Sequence, residues 1–197
     1  MTKKQIQQKI ISFEKQLKLL YNLISIKNKG VDLNMENSLN IKKDIEKNQI
    51  NIFDVANYII KKNKNKVTNM KLQKLVYYTY AKYLVENDQP IFNEPVEAWL
   101  HGPVFPNLYN EFKRYTYKTI FNGTKKGEEK RLTNDHRVLI DKIIELYGNK
   151  EATTLSNLTH KETPWQSAWD NNEDWSKNVI KDEIIKKYFI KNFKKIK

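Results

Sequence analysis

Ala98-Trp99-Leu100-His101-Gly102-Pro103-Val104-Phe105-Pro106-Asn107-Leu108-Tyr109 is the stretch on which the reading of the fold turns. It holds two of the chain's five prolines and one each of its five glycines, four tryptophans and three histidines. Glycine opens backbone space and proline fixes φ, so Gly102 and Pro103 interrupt whatever element carries Trp99 and Leu100. Gly102, Pro103 and Val104 are expected to form a turn supported by Trp99. Pro106 suits the first turn of a helix, where its missing N–H is not needed. Leu108, Phe112 and Tyr115 follow at helical spacing. The stretch is therefore a stiff, apolar corner between an extended segment and a helix, and an apolar loop is expected to pack against something. Trp99 and Val104 read as core. His101 reads equally as a residue that fixes the corner through a backbone contact or as a recognition residue.

Working outward, the reading is mainly α. It gives a compact multi-helix domain with a short extended or hairpin segment near 90–100, plus an N-terminal amphipathic helix. Residues 1–50 form that helix and a connector, and 51–197 the helical domain. Ile6, Ile10, Phe13, Leu17, Leu20 and Ile24 repeat at spacings of 4, 3, 4, 3 and 4, an a/d seam that docks either on this chain's core or on another chain. Asp54 is expected to cap a first domain helix. Thr68 or Asn69 caps a long one from about Met70 to Glu86, with Tyr77, Tyr78 and Tyr80 as an aromatic surplus suited to cores near the surface and to interfaces. Ile91-Phe92 and Val96–Leu100 are two extended legs or a hairpin, broken at Asn93-Glu94-Pro95. Residues 122–130 read as a mobile loop. Asn134 or Asp135 caps a helix whose Val138, Leu139, Ile143, Leu146 and Tyr147 face inward, with Gly148 at its end. A short helix around Thr154–Leu158 leads to Thr163, an expected N-cap with Pro164 at N1 and Gln166 at N3. Trp165 and Trp169 share a helical face. A last helix, from about Val179 to Lys194, is expected to bury Ile180, Ile184, Tyr188 and Phe193.

Composition narrows the function. The 197 residues carry a net charge of +13, but only Arg114, Arg131 and Arg137 among 36 basic residues are arginine, the residue that reads nucleic acid bidentately. The excess sits at the two ends: residues 1–50 carry +5, 177–197 carry +6, and the middle +2. Solvated lysine faces on terminal helices account for this, and nucleic-acid binding by the basic ends has no motif behind it. No apolar run approaches a membrane span. The absence of cysteine and of an apolar signal core fits a cytoplasmic protein.

His101 and His160 are the candidate acid–base pair of a hydrolase, or with Glu162 a metal site. Their spacing matches no ligand pattern, and the reading is of no enzyme, no metal and no cofactor. Asp54–Tyr58, Lys71-Leu72-Gln73-Lys74-Leu75-Val76-Tyr77-Tyr78, Glu97-Ala98-Trp99, Gly102-Pro103-Val104, Leu108-Tyr109 and Leu158-Thr159-His160-Lys161-Glu162-Thr163-Pro164-Trp165 occur in order. This series, over about residues 52–190, resembles the Panacea, or SocA-like, antitoxin family, which includes phage-associated GepA-like proteins. The resemblance implies a mostly helical domain that neutralises a cognate protein toxin by binding it, in SocA-like members by delivering it to a bacterial unfoldase–protease. A basic nucleic-acid-binding regulatory or phage-associated protein is the alternative. Trp99, Gly102, Pro103, Val104, Pro164 and Trp165 are then structural motif residues. His101, Tyr109, His160 and Glu162, as polar or partly exposed positions, are the expected partner contacts. The acidic run Asp170, Glu173, Asp174 adds complementarity toward a basic toxin.

Exposed, the seam of residues 6–24 forms an unusually large apolar patch for a monomer. Leu17→Asp is therefore expected to lower thermal stability, oligomeric state or toxin neutralisation. A variant indistinguishable from wild type in melting, sizing chromatography and growth rescue removes the seam from the account.

Overall fold

The computed structural model describes residues 49–63, 66–170 and 178–193. The expected seam of residues 6–24, Glu173 and Asp174 lie outside these residues, as does Lys194, the expected end of the last helix. The described residues belong to the compact unit Gln49–Lys197. Its helices are α1 (Ile52–Lys62), α2 (Asn69–Asn87), α3 (Pro106–Phe112), α4 (Asn134–Tyr147), α5 (Ala152–His160), α6 (Thr163–Ala168) and α7 (Asp182–Asn192), with strands β1 (Glu97–Trp99) and β2 (Gly102–Val104) between α2 and α3.

Helix α2 is the axle. Thr68 caps it, accepting from the Lys71 N–H at 3.3 Å, as the sequence suggested. Helices α1, α3, α4, α5 and α7 and strand β2 all pack on it. Its tyrosines therefore lie deeper than expected: Tyr77, Tyr78 and Tyr80 are buried, and only Tyr83 stays half-buried. Tyr78 stacks on Tyr147 with centroids 4.1 Å apart, and Tyr80, Phe92 and Phe105 form a second aromatic cluster. Such rings bring large buried area and a favourable edge-or-offset geometry.

The extended segment is a hairpin, but not the one anticipated. Gly102-Pro103-Val104 is strand β2, antiparallel to β1 with Ala98 opposite Pro103, and the turn is Leu100–His101. The turn residues keep negative φ, and Gly102 supplies the return with φ +101°. The other edge of β1 is covered: the Ala98 N–H donates to the Asn178 carbonyl at 2.8 Å, and Ile180 N–H to Val96 at 2.8 Å. Strand β2 is thus the edge, the one place in a sheet where a proline is tolerated. Pro106 opens α3 as expected.

Several caps differ from the sequence reading. Asn51 caps α1, accepting from Phe53 and Asp54 N–H groups, while the Asp54 carboxylate accepts from the Asn51 N–H at 3.0 Å. Thr133, not Asn134 or Asp135, caps α4, paired reciprocally with His136. Helix α4 consequently buries Leu139, Ile140, Ile143 and Tyr147 and leaves Val138 and Leu146 exposed. Gly148 closes it in right-handed conformation. Glu162 takes the N-cap position of α6 without a side-chain bond, and Gln166 donates to the His160 carbonyl instead. Helix α7 buries Ile185 and Phe189, with Ile184 and Tyr188 at its margin.

The loop expected to be mobile is tied to α1. Asn57 Nδ2 donates to the Thr124 and Gly127 carbonyls at 2.8 and 3.0 Å, and its Oδ1 accepts from the Thr124 N–H. Asp54, fully buried, also accepts from Arg131 at 3.0 Å. A Cβ on Gly127 falls 2.3 Å from the Phe53 carbonyl oxygen, so only glycine permits this approach. Removing one partner of a buried pair costs far more than removing an exposed one. Asp54→Ala is expected to lose about 3 kcal/mol in urea unfolding. Lys61→Ala, whose pair with Glu129 has a lysine side chain 72% exposed, is expected to lose under about 1 kcal/mol. Equal losses remove the tether from the account.

Candidate functional site

The first turns of α2 aim Gln73 and Lys74 at the edge strand. Gln73 Oε1 accepts from the Phe105 N–H at 2.9 Å, and Lys74 Nζ donates to the Pro103 carbonyl at 2.9 Å. Both bonds fall on the side of β2 that a third strand would occupy. Gly102 lies directly over the lysine: a Cβ there falls 2.8 Å from Lys74 Cε and 2.5 Å from Thr159 Oγ1. Gly102-Pro103 is therefore a packing requirement as much as a turn device. A positive φ and a close approach both demand the glycine, and an edge position admits the proline.

Beneath the hairpin, Glu162 turns inward from the start of α6. Its Oε1 accepts from the Tyr78 hydroxyl at 2.9 Å, and its Oε2 is buried with no partner among the described residues. Burial pushes the Glu162 carboxyl up to about 8, against the hydrogen bond from Tyr78 and the charge of Lys74. Burial pushes the Lys74 ammonium down to about 7, with the Glu162 charge opposing it. The Tyr78 hydroxyl is raised by burial and by the adjoining carboxylate.

The hairpin tip is fastened from α5 and α6. Ser156 Oγ donates to the His101 carbonyl at 2.9 Å, and Trp165 Nε1 donates to the Trp99 carbonyl at 2.9 Å. Trp165 also stacks on Trp169 with centroids 5.1 Å apart, as the shared face implied, and meets the His160 ring at 4.2 Å. Burial, then the Lys74 charge, lowers the His160 pKa, and its Nε2 is buried without a partner among the described residues.

The sequence-derived contact residues therefore divide. His101 is exposed at the tip with its backbone held, and Tyr109 is 37% exposed with its ring edge-on to Trp99 at 5.1 Å. Both line one cleft of about 330 Å³ with Met70, Leu100 and Lys113. His160 is half-buried, and Glu162, expected among the polar or partly exposed positions, is only 8% exposed. Lys74 and Gln73 are not among the sequence-derived site residues, and Tyr78 is there only as one of the aromatic surplus of α2. Their signal was phase: Lys74 lies four residues after Met70 and four before Tyr78, on one helical face. Among the described residues no cluster of three or more His, Asp or Glu could hold a metal, and no helix is long and apolar enough to cross a membrane.

A carboxyl whose pKa is raised on folding stabilises the folded state below its unfolded value of 4.5, and that contribution is lost as pH rises toward about 8. The melting temperature of the wild type is thus expected to fall relative to Glu162→Gln between pH 5 and pH 8, since the amide keeps the Tyr78 bond without titrating. Parallel pH profiles for the two proteins contradict the raised carboxyl.

Comparison with known proteins finds a likeness over this same segment. Residues 72–166 match the family model described as "Antitoxin SocA-like, Panacea domain". The chain is 29% identical over 111 residues to "Antitoxin SocA" of Caulobacter vibrioides (strain NA1000 / CB15N). That match covers 50% of this chain and 58% of the relative, so the chain spans a little over half of that protein's length. No solved structure matches the chain. The matched segment runs from α2 through the hairpin to the start of α6, and it takes in Lys74, Gly102, Pro103, Glu162 and Trp165. Over this segment the chain is similar to the SocA-like antitoxins and their Panacea domain.

Proposed function

We propose that this chain is the antitoxin of a toxin–antitoxin pair and neutralises a cognate protein toxin by non-covalent binding, without chemistry of its own. The observation that carries the reading is the family match over residues 72–166, which spans α2, the hairpin and the start of α6. The site's polar groups support it. Lys74, Gln73 and Tyr78 are spent on the Pro103 carbonyl, the Phe105 N–H and Glu162. The hydroxyl–imidazole contact between Thr133 and His136 is a helix cap. His101 and Tyr109 are the contact residues in this reading. His160 and Glu162 act from below, by holding the hairpin and α6 in place. The protein works in the cytoplasm, where its toxin is made, and delivery of that toxin to an unfoldase–protease is a second step after capture.

The experiment is co-expression with the adjacent open reading frame. The neighbouring product is expected to arrest growth alone, to be harmless with this chain, and to co-purify with it. If no adjacent gene is toxic and nothing co-purifies, the antitoxin reading fails. A toxin half-life unchanged by loss of the unfoldase limits the mechanism to sequestration. A gel shift of the promoter at near-physiological salt tests the nucleic-acid alternative, whose affinity falls steeply with salt.

A further inference from the structure

The cleft beside the hairpin tip combines features that the fold itself does not need. Leu100 sits in the tight turn between β1 and β2 and is 52% exposed, at a position where turn chemistry favours polar residues. Tyr109, also partly exposed, lines the same cleft. Met70, Trp99 and Val104 add apolar lining. The volume of about 330 Å³ is at the low end of the range of about 300–1,000 Å³ for ligand pockets, a fit for one or two side chains rather than a cofactor.

Two further observations concern the rim. Thr116 lines it with φ +50° and ψ −114°, a left-handed backbone at a β-branched residue. Strain of this kind persists where surrounding structure over-determines it, and it concentrates at binding sites. The charge of the lining is also one-sided. Lys74 is committed to the Pro103 carbonyl, so the cation open to a ligand is the exposed Lys113, with no aspartate or glutamate among the lining residues. An apolar lining with one open cation does not suit a phosphate backbone, which is tracked by a basic groove. It suits a large apolar side chain followed by a carboxylate.

We propose that this cleft is the toxin-docking site, and that it takes a segment of the toxin bearing a large apolar side chain with an aspartate or glutamate beside it. The apolar side chain fills the space between Leu100 and Tyr109, and the carboxylate pairs with Lys113. This rests on the antitoxin reading above and deepens it by naming the chemistry of the captured segment. Anchors of this kind, apolar and centrally placed with a charged group at the rim, carry most of the affinity of an interface.

The test uses the full chain and the protein encoded by the adjacent gene. Affinity is measured by titration calorimetry for wild type, Leu100→Asp, Lys113→Glu, Lys113→Arg and Lys142→Glu, each checked for wild-type melting. Leu100 and Lys113 are exposed, so their variants are expected to fold. Leu100→Asp is expected to weaken binding about thirtyfold or more. Lys113→Glu is expected to weaken it about tenfold and to flatten its salt dependence, with Lys113→Arg near wild type. Lys142, exposed on α4 away from the cleft, is the control, and Lys142→Glu is expected to bind normally. Charge reversal of one acidic residue of the toxin is expected to restore binding to Lys113→Glu. The proposal is overturned if wild type binds and rescues while both Leu100→Asp and Lys113→Glu match it, an outcome that leaves the antitoxin reading standing. It is also overturned if Leu100→Asp changes the oligomeric state and not toxin affinity, which makes a second copy the occupant. Failure of wild type to bind any adjacent product removes the antitoxin reading and the docking proposal together.

Discussion

The hydrogen bond from Lys74 to the Pro103 carbonyl sets the geometry on which the rest of this domain depends. A two-stranded hairpin is marginal in water and leaves one edge of each strand unpaired. Here both edges are closed by something other than a strand of the same sheet. The segment Asn178–Ile180 pairs with β1, and two side chains of α2 pair with β2. The lysine and glutamine stand in for a third strand, and the hairpin is thereby locked to the buried helix rather than to a sheet.

That arrangement is costly, because it takes an ammonium out of water. The compensation is local. Burial pushes Lys74 toward its neutral form with the Glu162 charge opposing the shift, and Tyr78 supplies the Glu162 carboxyl with a donor. Removing water strengthens each of these interactions and raises the penalty for leaving any one unmade. The inward turn of Glu162 also explains why α6 begins without a side-chain cap: the carboxylate at its N-cap position is committed to α2. Lys74 and Tyr78, four residues apart on α2, thus connect the long helix to the hairpin and to the start of α6.

Element existence was legible in the sequence, and element ends only where one or two residues set them. The long helix, its Thr68 cap and the proline start of α3 were visible because each rests on local chemistry of one or two residues. The hairpin was misplaced because Gly-Pro reads locally as a turn. Its strand role follows only from a positive φ at Gly102 and an acceptor role for Pro103 that α2 completes. The caps at Asn51 and Thr133 were missed in favour of nearby residues that are equally good cap formers; which one acts depends on where the helix packs. Loop 122–130 read as free because its tethers, Asp54 and Asn57, are about 70 residues upstream. Glu162 reads as a polar contact residue and Lys74 as an ordinary helix lysine, because burial of a charge leaves no mark in composition. Only the shared helical face of Lys74 and Tyr78 hinted at it.

The site divides into buried and exposed parts, and the two have different tolerance to substitution. Lys74, Gly102, Pro103, Glu162 and Trp165, which lie in the matched segment, make their contacts inside the domain: with one another, with backbone, or with the Tyr78 hydroxyl. Substituting any of them disturbs the hairpin's anchorage. Leu100 and His101 sit in the turn of that anchored hairpin, Lys113 follows α3, and the side chains of all three are exposed. Surface side chains of this sort are replaced at little cost to stability, usually within about 0.5 kcal/mol. A preorganised tip keeps the ordering cost of binding low whatever side chains it displays. In the proposed function, the motif therefore fixes where a toxin is held, and the rim around it fixes which toxin.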